Sequence, residues 1–262
     1  MAEVNVYGLN GKAKESIHIP TIFEIKPKLK IIQRAVEAHF ARSKQPQGRD
    51  LLAGKRTTAQ SWGTGYGIAR VPRIKGSGFL TARNAGFIPY AKGGRLTHPP
   101  RAEKNTIKKI NKKEKTIALI SSISASGNKN WIVNRGHNID DVPEIPLVVD
   151  DKIQTIKKTQ KMVEVFTKLG LNKEIDRVKT GKKIRAGKGK GRGRKYKNKK
   201  GVLIVIKDDF GIYRAARNIP GVDVKNIESV STIDFAPGGL PGRLILWAQS
   251  AFNDLEQFKV MV

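Results

Sequence analysis

The sequence of 262 residues contains no cysteine, which excludes disulfides, thiolate zinc sites, iron–sulfur clusters and cysteine nucleophiles. It also contains no apolar run near the roughly 18 residues that a membrane-spanning helix needs. The first residues, MAEVNVYGLNGK, lack the apolar stretch of a signal peptide. We therefore expect a soluble intracellular protein.

Acidic residues are scarce relative to basic ones. The chain has 51 Lys and Arg against 22 Asp and Glu, and its formal net charge is +29. Repulsion among this many like charges destabilises a compact fold, and folding alone does not require so large a net charge. The charge therefore predicts a polyanionic partner, and nucleic acid is the first candidate.

The positive charge is concentrated in two segments that contain no acidic residue. Residues 51–102 hold nine Lys or Arg and nine Gly, and residues 177–200 hold 13 Lys or Arg and five Gly. Together these segments carry 22 of the 29 excess charges. The sequence predicts one α/β domain over residues 1–262, with an inserted extended loop at 45–102 and a basic Gly-rich segment at 177–200.

Outside these segments, apolar patterning predicts strands that alternate with helices. The predicted strands are 4–7, 16–19, 131–133, 202–206, 222–224 and 244–247. The predicted helices are 28–43, 102–124, 151–169, 212–217 and 250–258. In the helix at 151–169, the inner face is predicted to carry Ile153, Ile156, Gln160, Val163 and Phe166. The alternation predicts an α/β fold with a mostly parallel central sheet flanked by helices.

The inserted loop at 45–102 is longer than the roughly 12–15 residues beyond which structureless loops become uncommon in compact domains. It contains five aromatic residues, whereas simple disordered linkers are poor in aromatics. One interpretation is a second small domain with its own hydrophobic core. We favour the other, an extended arm that becomes ordered on its partner.

Both basic segments have the composition of nucleic-acid-binding surfaces. Residues 187–197, GKGKGRGRKYK, alternate cations that neutralise phosphates with glycines that allow close backbone approach. Tyr196 could stack on a base or ribose. Residues 61–76, SWGTGYGIARVPRIKG, mix glycines, cations and two aromatics, a combination that suits irregular RNA with unpaired bases. Duplex DNA is more often met by a regular helix in the major groove.

Signatures of enzymes are missing. The sequence has no P-loop and no G-x-S-x-G elbow, and the glycines at 63, 65 and 67 lack dinucleotide-loop spacing. The four histidines, His18, His39, His98 and His137, lack metal-ligand spacing, so we expect surface or core imidazoles. The acidic pairs at 140–141, 150–151 and 208–209 are interpreted as caps and turns rather than Mg²⁺ sites. We expect no enzymatic activity, cofactor, metal or small-molecule substrate. An RNA-modifying enzyme with an α/β cofactor domain and a membrane-active cationic protein are the alternatives.

Six stretches of the sequence resemble the universal large-subunit ribosomal protein four family in its archaeal and eukaryotic form. They are GTGYGIARVPRIKGSG (63–78), LTHPPRAEK (96–104), NRGHNID (134–140), IRAGKGKGRGRKY (184–196), AARNIPGVDV (215–224) and DFAPGGLPGRL (234–244). They keep the order of the family and extend over essentially the whole chain. Eukaryotic members carry a long carboxy-terminal extension, so a chain that stops at Val262 is expected to be archaeal.

The resemblance implies a structural constituent of the large ribosomal subunit, with large-subunit rRNA and neighbouring ribosomal proteins as partners. In the family, the long loop reaches the wall of the nascent-peptide exit tunnel and forms a constriction there with ribosomal protein twenty-two. The matching loop tip here is 67–78. The residues expected nearest the tunnel are Arg70, Val71, Pro72, Arg73, Ile74 and Lys75.

The residues expected to bind rRNA fall into two sets. In the loop they are Arg49, Lys55, Arg56, Trp62, Tyr66, Arg70, Arg73, Lys75, Arg83, Lys92, Arg95, His98 and Arg101. In the second segment they are Lys182, Lys183, Arg185, Lys188, Lys190, Arg192, Arg194, Lys195, Tyr196 and Lys197.

Overall fold

Strands and helices alternate along the chain in the computed structural model, which describes residues 3–256. The strands are β1 (Glu3–Tyr7), β2 (Ala13–His18), β3 (Leu147–Val149), β4 (Lys183–Ile184), β5 (Tyr196–Lys197), β6 (Leu203–Ile206), β7 (Asp223–Asn226) and β8 (Ile245–Ala248). The α-helices are α1 (Leu29–Arg42), α2 (Lys112–Ser126), α3 (Lys129–Arg135), α4 (Thr159–Lys168), α5 (Asn172–Thr180), α6 (Ile212–Ala216), α7 (Thr232–Phe235) and α8 (Gln249–Asn253). Short 3₁₀ helices span Thr21–Glu24, Asp151–Thr155, Lys188–Gly191 and Pro237–Gly239.

Six strands form one sheet in the order β2-β1-β3-β8-β6-β7. Only the β1–β2 hairpin is antiparallel, and every other pair in this sheet is parallel. All positions of β3, β6 and β8 are buried, as expected for parallel strands covered on both faces. The predicted α/β fold with a mostly parallel sheet is confirmed.

The hydrophobic core lies around this sheet. Trp247 on β8 stacks on Phe235 of α7, with ring centroids 5.9 Å apart. The same indole meets Phe252 of α8 and Phe23 edge-on, at 6.0 and 6.4 Å. Aromatic rings at these distances add to the free energy gained by burying their apolar surface. These contacts pack the strand β8 against Phe23, near the start of the chain, and against α7 and α8, near its end.

The chain forms two compact units. One comprises the residues up to Phe40 and those from Lys108 onward, and the other is Ala41–Ile107. The second unit has no named strand beyond the isolated bridges that pair Arg73 with Gln60 and Ala85, and turns make up much of it. Among its described residues, the only buried ones are Ala41 and Gly86. It therefore lacks the hydrophobic core that a small independent domain would need.

The strand predicted at 131–133 is wrong, because these residues lie in the helix α3. Asn128 caps this helix, and its side chain accepts a hydrogen bond from the Asn130 amide at 2.9 Å. Gly136 ends the helix in the left-handed conformation at φ 88°. Three apolar residues in a row cannot distinguish a strand from a short helix, and here the two caps decide the outcome.

The helix predicted at 102–124 is wrong in its first half, since α2 begins at Lys112. The Asn105 side chain accepts a hydrogen bond from the Ile107 amide at 2.9 Å. This hydrogen bond stabilises a local turn that competes with helix formation. The helix predicted at 151–169 is interrupted by extended backbone at Ile156 and Lys158. The interruption shifts the buried face of α4.

In α4 the buried side chains are Met162, Val165 and Phe166. Gln160 and Val163, which were predicted on the inner face, are exposed. Ile153 and Ile156 are buried as predicted, but they precede α4. Phe166 is buried as predicted, so a helical period drawn through the break is right at Phe166 and wrong at Gln160 and Val163.

The other predicted elements agree with the structure to within a few residues. Strands β3, β4 and β5 and helices α5 and α7 were not predicted. β3 has only three residues, Leu147–Val149, and α5 is mostly polar, so neither shows a long apolar period. The closing helix is α8, and the predicted positions 257–258 lie outside the described residues.

Candidate nucleic-acid interface

The two ends of the inserted segment meet within the unit Ala41–Ile107. The Arg49 amide donates to the Pro100 carbonyl at 3.1 Å. A Cβ atom built on Gly48 would lie 3.1 Å from Ala102, so the two backbones are in close contact there. An open cleft beside this closure is lined by Lys44, His98 and Arg101 among others. The first and last residues of the inserted segment therefore lie next to each other.

The outgoing and returning backbones also touch at Gly54. A Cβ atom there would lie 2.5 Å from the Gly94 carbonyl, and the φ of +79° also favours glycine. Next to this contact, the Arg95 guanidinium lies 5.3 Å from the Phe87 ring centroid, a cation–π arrangement. Arg95 is half-buried and thus helps to hold the segment together.

Arg73 lies at a junction that divides the far part of the segment into two loops. Its backbone exchanges two hydrogen bonds of 3.0 Å with Gln60, and its guanidinium donates to the Arg83 carbonyl at 3.0 Å. Ile74 pairs in turn with Asn84 and Arg83, at 3.0 and 3.1 Å. Residues 61–72 and 75–82 are the loops that result.

The predicted tip, 67–78, is therefore spread over three places. Arg70 is exposed in the first loop and Lys75 is exposed at the start of the second. Arg73 lies between the two loops, and it is half-buried together with Val71, Pro72 and Ile74. Arg70 and Lys75 are free to meet a partner, while Arg73 also has a structural role.

The loop 61–72 presents aromatic rings and a cation. Its glycines at 63, 65 and 67 all have positive φ, and no other atom lies within 4 Å of a Cβ built on any of them. Backbone conformation, not crowding, requires glycine there. The Trp62 and Tyr66 rings meet edge-on at 5.7 Å, and Tyr66 remains 64% exposed. Such a ring is available for stacking on a base.

Most cations of this segment have no acidic partner. Arg56 is paired with Asp50 at 2.6 Å. Within residues 3–256, no carboxylate lies within 4.0 Å of the other predicted loop cations. The exposed members of this set are Arg49, Lys55, Arg70, Lys75, Arg83, Lys92 and Arg101. His98 is exposed as well.

The second basic segment forms a short hairpin, residues 182–199, which we call the basic hairpin. Strands β4 and β5 pair antiparallel, with Ile184 opposite Tyr196. The half-buried Arg185 donates its guanidinium to the carbonyls of Arg194 and Tyr196, at 3.2 and 3.4 Å. The Lys182 ammonium lies 4.5 Å from the Tyr196 ring centroid. Arg185 thus stabilises the hairpin.

The other cations of the basic hairpin are exposed. In the described part of the chain, none of them has a carboxylate within 4.0 Å. Those predicted to bind rRNA are Lys182, Lys183, Lys188, Lys190, Arg192, Arg194, Lys195 and Lys197. Tyr196 is exposed beside them. Exposed, unpaired cations next to an aromatic ring suit a phosphate backbone with accessible bases.

The acidic pairs serve the fold, as predicted. Asp150 accepts the Lys152 amide at 3.2 Å, and Asp209 accepts the Gly211 amide at 2.9 Å. Asp141 is paired with Lys173 at 2.9 Å. Among the described residues, no three His, Asp or Glu side chains are grouped so that they could hold a metal ion. No helix of residues 3–256 is long and apolar enough to cross a membrane.

Sequence comparison assigns the family. The family model for the ribosomal protein L4/L1 family matches residues 17–258, which is most of the chain. The chain belongs to the ribosomal protein L4/L1 family. This membership confirms the resemblance drawn from the six sequence stretches.

Three curated relatives of this L4/L1 family member come from archaea. The large ribosomal subunit protein uL4 of Methanosphaera stadtmanae is 46% identical over 97% of this chain and 96% of its own length. Those of Methanococcus maripaludis and Methanococcus aeolicus are 45% and 42% identical, over 96% and 97% of this chain and 98% and 99% of their own lengths. These archaeal relatives agree with the expected archaeal type. Membership in this family of ribosomal proteins also confirms that the protein is non-enzymatic and belongs to the translation apparatus of the cytoplasm.

Proposed function

We propose that the protein is a structural constituent of the large ribosomal subunit and that its two basic segments bind large-subunit rRNA. The observation that carries the proposal is the set of exposed cations without acidic partners in the loop and in the basic hairpin. The relatives named large ribosomal subunit protein uL4 match over nearly their whole length, which supports the same assignment.

The chemistry of the two segments favours contacts with the RNA backbone. Exposed Lys and Arg side chains displace condensed counterions when they meet phosphates, and this supplies affinity that depends on salt. Compact RNA presents phosphates and 2′-hydroxyls more readily than base edges in its grooves. Tyr66 and Tyr196 add rings that can stack on unpaired bases, a contact worth roughly 1–3 kcal/mol per base.

We further propose that the segment 45–102 is an arm ordered by rRNA rather than a domain with its own core. The exposed apolar side chains of Ala41–Ile107 support this proposal, above all Leu80, which is 96% exposed. Such side chains are left without burial until a partner covers them. The loops 61–72 and 75–82 are then the parts assigned to the tunnel wall, with Arg70 and Lys75 facing ribosomal protein twenty-two or the tunnel itself.

Chemical footprinting of the protein on large-subunit rRNA tests this proposal. The full chain is expected to protect two separate groups of nucleotides. A variant in which residues 51–99 are replaced by a short Gly-Ser linker is expected to lose one group and keep the other. If the full chain protects no nucleotides at low salt, or if the variant leaves both groups protected, the proposed interface is wrong.

A further inference from the structure

The basic hairpin begins beside a buried ion pair. Arg177, in the last turn of α5, makes a two-pronged contact with Glu174, one turn earlier. Its Nε lies 2.7 Å from Oε2, and its Nη2 lies 2.6 Å from Oε1. The Glu174 side chain is only 1% exposed and that of Arg177 17%. Arg177 is thus largely removed from solvent, unlike the exposed cations that follow it.

The same guanidinium also holds the end of the hairpin. Nη2 of Arg177 donates to the Lys200 carbonyl at 3.1 Å, which joins the entry and the exit of the hairpin through one side chain. At the next residue, the Gly201 amide donates to Gly221 and its carbonyl accepts Nε of Arg243, both at 2.9 Å. The exit is therefore fixed to the sheet.

Glu174 is held by more than Arg177. Its carboxylate also accepts hydrogen bonds from Nδ1 of the His137 ring at 2.7 Å and from the Asn138 amide at 3.0 Å. Burial alone would raise the pKa of Glu174, but the hydrogen bonds from Arg177 and His137 outweigh this and lower it. The group is therefore a carboxylate with its oxygens fully engaged.

Other cations nearby make this negative charge necessary. Arg243 is 1% exposed and pairs with Asp223 at 2.5 Å. Arg135 donates to backbone carbonyls, and burial together with the positive charges of Arg243 and Arg177 lowers its pKa to about 10. Without the Glu174 carboxylate, Arg177 would face like charges in a buried site. It would then turn toward solvent and release Lys200.

The two arms of the hairpin are in contact at this base. A Cβ atom on Gly181 would lie 2.6 Å from the Lys199 side chain. Val178 of α5 packs against both Gly201 and Gly221, where Cβ atoms would lie 3.0 and 2.5 Å from its methyl groups. The base of the hairpin is therefore close-packed, although its cations are exposed.

We propose that Glu174, supported by His137, is a positioning residue for the basic hairpin: it holds Arg177 so that the entry and the exit of the hairpin are tied together before RNA binds. The effect on rRNA affinity rests on the proposed function. Fixing a segment in its bound geometry lowers the conformational entropy lost on binding. The orientation of the cations, as well as their number, then contributes to rRNA affinity.

The variant Glu174→Gln separates this mechanism from simple electrostatics. It raises the net charge of the protein by one, so electrostatics alone predicts equal or tighter rRNA binding. Loss of positioning predicts weaker binding, by about tenfold. Asp176→Asn is the matched control, because Asp176 is exposed on the same helix and its substitution makes the same change in charge. The control is expected to bind at least as tightly as the unaltered protein.

Hydrogen–deuterium exchange of the RNA-free full chain tests the positioning itself. Glu174→Gln is expected to exchange faster at the hairpin amides, including those of Arg185 and Arg194, with the protection of β6 unchanged. Arg177→Lys retains the charge but loses the two-pronged contact, and it is expected to show the same loosening if Glu174→Gln does not fold. Unchanged hairpin exchange in the folded variants would overturn the proposal. If the unaltered protein binds no rRNA, the proposed function fails, while the exchange result still decides whether Glu174 positions the hairpin.

Discussion

His137 is a core imidazole. The sequence predicted that each histidine would lie either at the surface or in the core, and the side chain of His137 lies in the core. Burial lowers the pKa of His137 below its ordinary value of 6.5, although the hydrogen bond to Glu174 opposes the shift. A group with a lowered pKa in the folded state contributes stability at high pH. That stability is lost as the pH falls below 6.5, because the unfolded chain then binds the proton more readily.

We therefore expect the free energy of unfolding to fall between pH 7.5 and pH 5.5, with a slope from this one group of at most about 1.4 kcal/mol per pH unit. His137→Gln keeps a donor for Glu174 but removes the titration, so its stability should change less over the same interval. Urea denaturation at several pH values measures both. Parallel losses in the two proteins would show that another group causes the pH dependence.

Single residues also mark the limit of what the sequence could predict about the site. The unpaired cations of the basic hairpin could be predicted, because a run without acidic residues has no local carboxylate to pair with. The internal role of Arg177 could not, since its partner Glu174 and the carbonyl of Lys200 become neighbours only in the folded chain. Arg73 is similar, because its structural contacts join three separate parts of the loop segment.

At the scale of elements, the helix α3 shows how much a cap decides. It has only seven residues and one buried side chain, Ile132. A helix of this length has little stability of its own. The Asn128 side chain, which accepts the Asn130 amide, is thus a large part of what fixes this segment as a helix.

Asn128→Ala is expected to lower the free energy of unfolding by about 1 kcal/mol, the usual effect of losing an amino-terminal cap. Asn128→Ser retains an acceptor oxygen and should cost only a small part of that. Denaturant unfolding of the three proteins makes the comparison. An equal loss in both variants would mean that the cap hydrogen bond is not the source of the stability.

Elements with long apolar patterns could be predicted, and those defined by local hydrogen bonds could not. The buried strand β6 follows from consecutive branched apolar residues, and the amphipathic helix α1 from its period. The late start of α2 depends on a turn at Asn105, and the division at 156–158 depends on extended backbone. Neither feature can be recognised from the spacing of apolar residues in the sequence.

At the scale of the whole molecule, the net charge of +29 has a distinct distribution. In the unit that holds the sheet, which we call the α/β unit, many cations outside the basic hairpin are paired with carboxylates. In the loop segment and in the basic hairpin, most cations are unpaired. Unpaired like charges destabilise a segment that stands alone. We therefore infer that the excess positive charge serves rRNA contact rather than folding.

The salt dependence of rRNA affinity tests this central claim most directly. If the two segments together neutralise on the order of ten phosphates, the logarithm of the binding constant should fall against that of the salt concentration with a slope of roughly −7 to −9. Replacing Lys188, Lys190, Arg192 and Arg194 by Gln should make the slope shallower by about 3. The matched control removes four exposed lysines of the α/β unit, Lys129, Lys157, Lys161 and Lys168. We expect a much smaller change in slope for the control. Equal changes in the two variants would contradict the claim that the excess charge of the two basic segments serves rRNA contact.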